Sequence, residues 1–169
     1  YIPVSSGCPQ VFRRSFLMTQ TEIIQILAGF VGSIGFAILF NIRGKSLIAT
    51  AIGGLFSWLL FVILSKYIKN EPFIYFIIAC VISTYAEIMA RVLKTPTSAF
   101  ITTSLIPLIP GGSLYYTMVH AFEGDLHAFL PKAIYTMQLA SALALGIIVA
   151  TSVARIFNKA FFHKNRNKK

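Results

Sequence analysis

Residues 97–122 read TSAFITTSLIPLIPGGSLYYTMVHAF. The block is long and apolar enough to cross a bilayer, because about 20 helical residues at roughly 1.5 Å each cover the ~30 Å hydrocarbon core. Its middle does not suit an ordinary membrane helix. Pro107 and Pro110 have no N–H to give to the carbonyls of Thr103 and Ile106, and Gly111-Gly112 lets the chain leave helical angles. A backbone group left open in hydrocarbon costs several kcal/mol unless protein or water satisfies it. Four breakers between Pro107 and Gly112 therefore point to a broken helix that lines a cavity. Ser113 or Gly112 would cap a second half-helix over 114–122, and the positive N-terminal end of that half-helix suits an anionic group such as a substrate carboxylate. The plainer alternative is a proline-kinked helix with only a packing role.

Outward from this block, apolar stretches of similar length recur at 23–40, 47–68, 73–93 and 129–157. The whole chain has 169 residues, 56% of them hydrophobic and 12% charged, with a mean hydropathy of +0.75. A soluble domain carries about 25% charged residues. The reading is an all-α integral membrane protein of about five transmembrane helices, the fourth broken at its Pro-x-x-Pro-Gly-Gly motif. The long last stretch is expected to begin on the membrane interface near Pro131 and Lys132.

Three segments follow from this pattern. Residues 1–17 read as a non-native leader, because they hold no apolar run for a signal peptide and Met18 opens a natural start. Translated upstream DNA would give such a leader, with Arg13-Arg14 encoded by a purine-rich ribosome-binding site. Residues 18–158 form the transmembrane domain, and 159–169 a basic cytoplasmic tail. The net charge of +10 comes from Lys and Arg between and beyond the spans, which is topology signalling and not a nucleic-acid surface. Basic residues at 43–45, 91–94 and in the tail fall on one side, and the acidic 123–125 loop falls on the other. The C-terminus is then cytoplasmic. Lys66 and Lys69 fit this scheme least well.

Little else carries chemistry. Cys8 and Cys80 make no disulfide framework, and His120, His127 and His163 are too scattered for a metal site. No cofactor motif, paired carboxylates or activated nucleophile is present, so an enzyme is not expected. Glu87 is the acidic residue inside a span, with Arg91 one turn on. Two readings stand for the pair: coupling of transport to an ion, or an ion pair anchoring the helix end. Small residues recur every four positions at Ala142, Gly146, Ala150 and Ala154, more loosely at Ala28 and Gly32 with Gly29 and Gly35, and again at Ala49 and Gly53. This spacing favours close helix packing.

Three segments, GFAILFNIRGKSL (35–47), EIMARVLKTP (87–96) and IPLIPGGSLYYTM (106–118), resemble the small-subunit half of the threonine/serine exporter family. The resemblance covers nearly all of 18–160, and the Pro-x-x-Pro-Gly break followed by Tyr is its most specific part. It implies a multi-pass secondary exporter of the bacterial inner membrane, acting on threonine and serine or on small dicarboxylates such as succinate. It also implies a larger homologous partner subunit bearing a soluble extension; a homo-oligomer is the other assembly left open. Carried over by position, the motif residues are Pro107, Pro110, Gly111, Gly112 and Tyr115, with Ser113 added as the half-helix cap. The alternative function is a non-transporting scaffold that stabilises the larger partner.

Overall fold

The computed structural model describes residues 20–166. The leader over 1–17 lies outside the described residues. The chain forms α1 (Gln20–Leu39), α2 (Lys45–Tyr67), α3 (Glu71–Leu93), α4 (Thr97–Leu105), a 3-10 turn (Ile106–Leu108), α5 (Gly111–Glu123) and α6 (Leu126–Arg166). Of these, α1, α2, α3 and α6 are each long and apolar enough to cross a membrane, whereas the apolar stretch Thr97–Leu108 is too short.

Contacts at the helix ends fix the directions. Lys66 Nζ lies 3.3 Å from Glu22 Oε2, which joins the end of α2 to the start of α1. The Tyr135 hydroxyl of α6 donates to the Glu71 carboxylate at the start of α3. Further along both helices, Cys80 Sγ donates to the Gly146 carbonyl at 3.5 Å. The residue numbers rise together, so α3 and α6 run parallel. The chain between them must then return across the slab. That fourth of five crossings is made by α4, the 3-10 turn and α5, as the broken-helix reading expects. The links 40–44 and 94–96 lie at one end, hereafter the Arg43 end, and 68–70 and 124–125 at the other, the Glu22 end.

The interior combines a cluster of large apolar residues with many small and hydroxyl-bearing ones, and the exterior is also apolar, unlike that of a soluble bundle. On α2, Ser46, Ala49, Thr50, Gly53, Gly54 and Ser57 are buried, while Ile48, Ile52 and Phe56 face outward. Large side chains such as Leu39, 74% exposed, are found around the outside, where hydrocarbon is their natural solvent. Several buried hydroxyls bond within their own helices: Thr50 Oγ1 donates to the Ser46 carbonyl at 3.1 Å and Ser57 Oγ to the Gly54 carbonyl at 3.0 Å. This is how Ser and Thr are tolerated in membrane helices.

Close approach depends on glycine at three seams. A Cβ on Gly54 would collide with Ser33 Oγ of α1, and one on Gly53 with Ser104 Oγ of α4. At Gly146 it would stand 2.6 Å from Ala79 Cβ and 2.7 Å from the Phe76 carbonyl oxygen. The small-residue pattern of α6 is thus its seam with α3. On α1 the pattern reads differently, since Gly32 and Gly35 have nothing within 4 Å.

α4 enters from the Arg43 end. Its Phe100 packs with Ala49, Ala86 and Ala90, and Leu105 and Leu108 reach Ile74, Ile78 and Leu139. α5 belongs to α6 instead. Ser113 Oγ lies 2.7 Å from Thr136 Oγ1, and Thr117 Oγ1 lies 3.1 Å from the same atom. α6 begins at Leu126, capped by Asp125, whose Oδ1 accepts from the Ala128 amide at 3.2 Å. It passes through Pro131 without ending. Its first nine residues, 126–134, extend about 13 Å past the level of Glu71. At its other end the helix continues to Arg166, into the segment that composition alone sets apart as a tail, because no Gly or Pro interrupts residues 147–169.

Replacing Gly54 or Gly146 with Val is expected to lower stability by about 1–3 kcal/mol through overpacking. Gly32→Ala, in open space, should be neutral. Thermal melts of the detergent-solubilised variants check both.

Candidate functional site

α1 presents Gln25, Ala28, Gly29 and Gly32 on one face, at the i, i+3, i+4, i+7 spacing of a helical stripe. Opposite them stand Trp58 of α2 and Ile106 and Pro107 of the 3-10 turn, and together they line a cavity of about 370 Å³. Its size falls within the roughly 300–1,000 Å³ of small-molecule sites. A side chain at Gly29 would meet Pro107 Cβ and Trp58 Cβ, each 3.5 Å from its Cβ position. Glycine therefore keeps the wall open where the proline turn comes nearest. Gly29 is seven residues along the helix from Glu22, about 10 Å below the Glu22 end. The cavity thus lies within the hydrocarbon depth.

The lining is mostly apolar, with few polar groups. The Gln25 amide offers both donors and an acceptor. The Trp58 indole Nε1–H is buried and has no hydrogen-bond partner among the described residues. Pro107 leaves the Thr103 carbonyl without its usual helical donor. The hydroxyls of Ser33 and Ser104, on the helices that flank α2, are also buried and unpartnered among the described residues. Of these polar groups, the Gln25 amide and the Trp58 indole belong to residues that line the cavity, and such groups are what a polar solute needs in order to leave water.

The structure divides the residues that sequence grouped together. Pro107 lines the cavity. Ser113 turns away to Thr136 of α6. Gly111, Gly112 and Tyr115 are exposed, and Tyr115 stacks edge-on to Tyr116 at 5.5 Å between ring centroids. Neither Ser113 nor Gly112 caps α5. The helix starts at Gly111 with Pro110 as its N-cap, without a side-chain cap, because the Pro110 carbonyl already accepts the Leu114 amide at 3.0 Å. Glu87 and Arg91 form an i,i+4 pair at 3.1 Å in the last turns of α3, at the Arg43 end, and line no part of this cavity. Gln25 and Trp58 were not singled out from sequence, and Gly29 was read only as part of a packing pattern. The available signals were a lone amide one turn before two glycines, and a tryptophan in mid-span where interfacial belts do not reach.

Among the described residues no cluster of His, Cys, Asp or Glu is suited to a metal ion. A family model described as Threonine/Serine exporter, ThrE, matches residues 25–153. The chain belongs to the threonine/serine exporter family. The matched residues run from Gln25 to beyond Gly146 and so include those that line the cavity and those of the α3–α6 seam. No curated protein and no solved structure matches the chain. Membership makes this a multi-pass membrane protein of a transporter family.

If solutes reach the cavity, its lining must be open to water. In a chain with Cys8 and Cys80 changed to Ser, Gln25→Cys and Gly29→Cys should react with a water-soluble maleimide in intact membranes. Ala37→Cys, at a fully buried position, should remain unlabelled.

Proposed function

We propose that this chain is the small membrane subunit of a two-component secondary exporter that moves threonine, serine or small carboxylates such as succinate out across the bacterial inner membrane. The observation that carries the reading is the cavity between α1, α2 and the proline turn. It lies within the hydrocarbon depth, is lined by Gln25, Gly29, Trp58 and Pro107, and adjoins a break that frees a backbone carbonyl. A small polar solute crossing here exchanges water for the Gln25 amide and the Trp58 N–H. Broken helices serve this purpose in other secondary transporters. The partner is a larger homologous subunit with a soluble extension, in keeping with the split form that the sequence resembles.

Charge supports an orientation with the Arg43 end cytoplasmic. Arg43, Lys45, Arg91, Lys94 and Arg155 gather there, opposed among the described residues by Glu87 alone. The Glu22 end mixes Lys66, Lys69 and Lys132 with Glu22, Glu71, Glu123 and Asp125. Lys and Arg are retained on the cytoplasmic side, which puts the C-terminus inside and the α5–α6 link outside.

The test is efflux from cells of the native host preloaded with threonine-, serine- or succinate-releasing precursors, with variants placed at the chromosomal locus. Gly29→Leu, which fills the cavity, should lower efflux at least about tenfold, equivalent to ~1.4 kcal/mol on the transport barrier, with membrane levels unchanged. Normal efflux through a filled cavity overturns the assignment. Glu87→Gln should leave the dependence on the pH gradient intact, because its pair with Arg91 sits at the helix end. Loss of that dependence would make Glu87 the coupling residue.

A further inference from the structure

A second cleft lies at the Glu22 end, between α5 and the first turns of α6. It measures about 590 Å³ and is lined by His120, Ala128, Pro131, Lys132 and Tyr135. Deeper in the slab the two helices touch, where Ser113 and Thr117 meet Thr136. Above that contact they part, and the cleft is the gap. Its depth can be read from Tyr135, whose hydroxyl donates to Glu71, the first residue of α3. Lys132 is three residues nearer the start of α6, about 4.5 Å farther from the slab centre. The cleft therefore opens where hydrocarbon gives way to headgroups, while both its walls continue down into the apolar region.

One charge dominates this space. The Lys132 ammonium sits over the Tyr116 ring, 5.9 Å from its centroid, and pairs with no carboxylate among the described residues. It has three N–H donors to give. His120 adds an imidazole to the wall. Its Nδ1 is buried, with Glu123 Oε2 at 3.5 Å, which is beyond a good hydrogen bond. No carboxylate lines the cleft. The acids nearby are engaged or turned outward: Glu71 accepts from Tyr135, Asp125 caps α6, and the Glu123 side chain is 62% exposed, where water and salt screen it.

A lone cation in a cleft at headgroup depth is complementary to a lone anion that reaches it from the bilayer. We infer that the cleft binds an anionic phospholipid such as phosphatidylglycerol, its phosphate oxygens at Lys132 and His120. Charge complementarity makes the choice of headgroup. A zwitterionic head brings an ammonium for which the lining holds no carboxylate, whereas an anionic head brings only the charge that Lys132 lacks. The acyl chains have apolar surface to lie on, since Leu114 and Met118 of α5 and Met137 of α6, all deeper than the cleft, are 49–73% exposed. A lipid held here bridges α5 to the head of α6, the helix that carries it. The site stands apart from the exporter reading, because its ligand is part of the membrane and not a cargo.

The experiment titrates the purified full chain in detergent with phosphatidylglycerol, phosphatidylcholine or inorganic phosphate, read by native mass spectrometry and by thermal melts. Phosphatidylglycerol should be retained and should raise the melting temperature, as a ligand of the folded state does. Lys132→Gln should weaken its binding about tenfold, the loss of one charge-assisted contact. Lys132→Arg should restore most of it, because a guanidinium also pairs with phosphate. Ala128→Phe fills the cleft with Lys132 left in place and should weaken binding as much, which keeps the inference testable if Lys132→Gln fails to fold. Lys69→Gln removes a charge at the same end outside the lining and should change nothing. Equal losses in Lys69→Gln and Lys132→Gln overturn the inference, since they report surface charge alone. Phosphatidylcholine bound as tightly as phosphatidylglycerol also overturns it, as does unchanged affinity in both Lys132→Gln and Ala128→Phe. Stabilisation by inorganic phosphate through Lys132, with no lipid retained, overturns it and assigns the cleft to a soluble anion.

Discussion

The close parallel seam between α3 and α6 governs the rest of the path. Two helices that start at the same end of the slab leave the intervening chain to cross back, and only residues 97–123 are available for it. Gly146 makes the seam by letting α6 approach the α3 backbone at Phe76 and Ala79. In hydrocarbon no water-driven collapse holds helices together, so such contact-by-contact packing is the main source of stability. The returning crossing could not be another straight helix with the same sequence, because two prolines lie in its middle. It divides into α4, which joins the α2–α3 core, and α5, which joins α6.

That division also explains why two recesses exist. The break leaves valences beside α1 and α2, where Gly29 keeps a wall open, and so forms the deep cavity. The departure of α5 toward α6 creates the second cleft near the Glu22 end. Both are bordered by elements whose positions follow from the one turn at 106–108. Elsewhere the interior is closed by large apolar side chains such as Ile74, Ile78 and Leu139 together with alanine, serine and glycine, and several buried hydroxyls are satisfied by carbonyls of their own helices.

Much of this was legible in the sequence. The spans, their number and the broken fourth crossing follow from apolar length and from proline chemistry, both of which act locally. Gly146 and its neighbours announced a packing face by spacing alone. The site was only partly legible. Pro107 was found because a proline in mid-membrane is costly wherever it lies. Gln25 and Trp58 were passed over, and Gly29 was read as a packing residue, because their meaning depends on which helix comes to face them, and spacing within α1 or α2 does not reveal that. Ser113 was misjudged as a cap for a related reason. Its hydroxyl has a choice between its own helix start and Thr136, and the tertiary partner prevails. Lys132 looked like an interfacial anchor until the Tyr116 ring and the absence of a described carboxylate around it were seen together.

The 3-10 turn has one more consequence. From Pro107 to Pro110 the backbone carries few of the repeating bonds that stiffen a helix, while α4 and α5 on either side are each fastened to a different neighbour. The segment is a short joint between two differently anchored halves, α4 held in the α2–α3 core and α5 held on the head of α6. The same four breakers that interrupt a crossing thus let one apolar stretch of chain serve two separate packing partners.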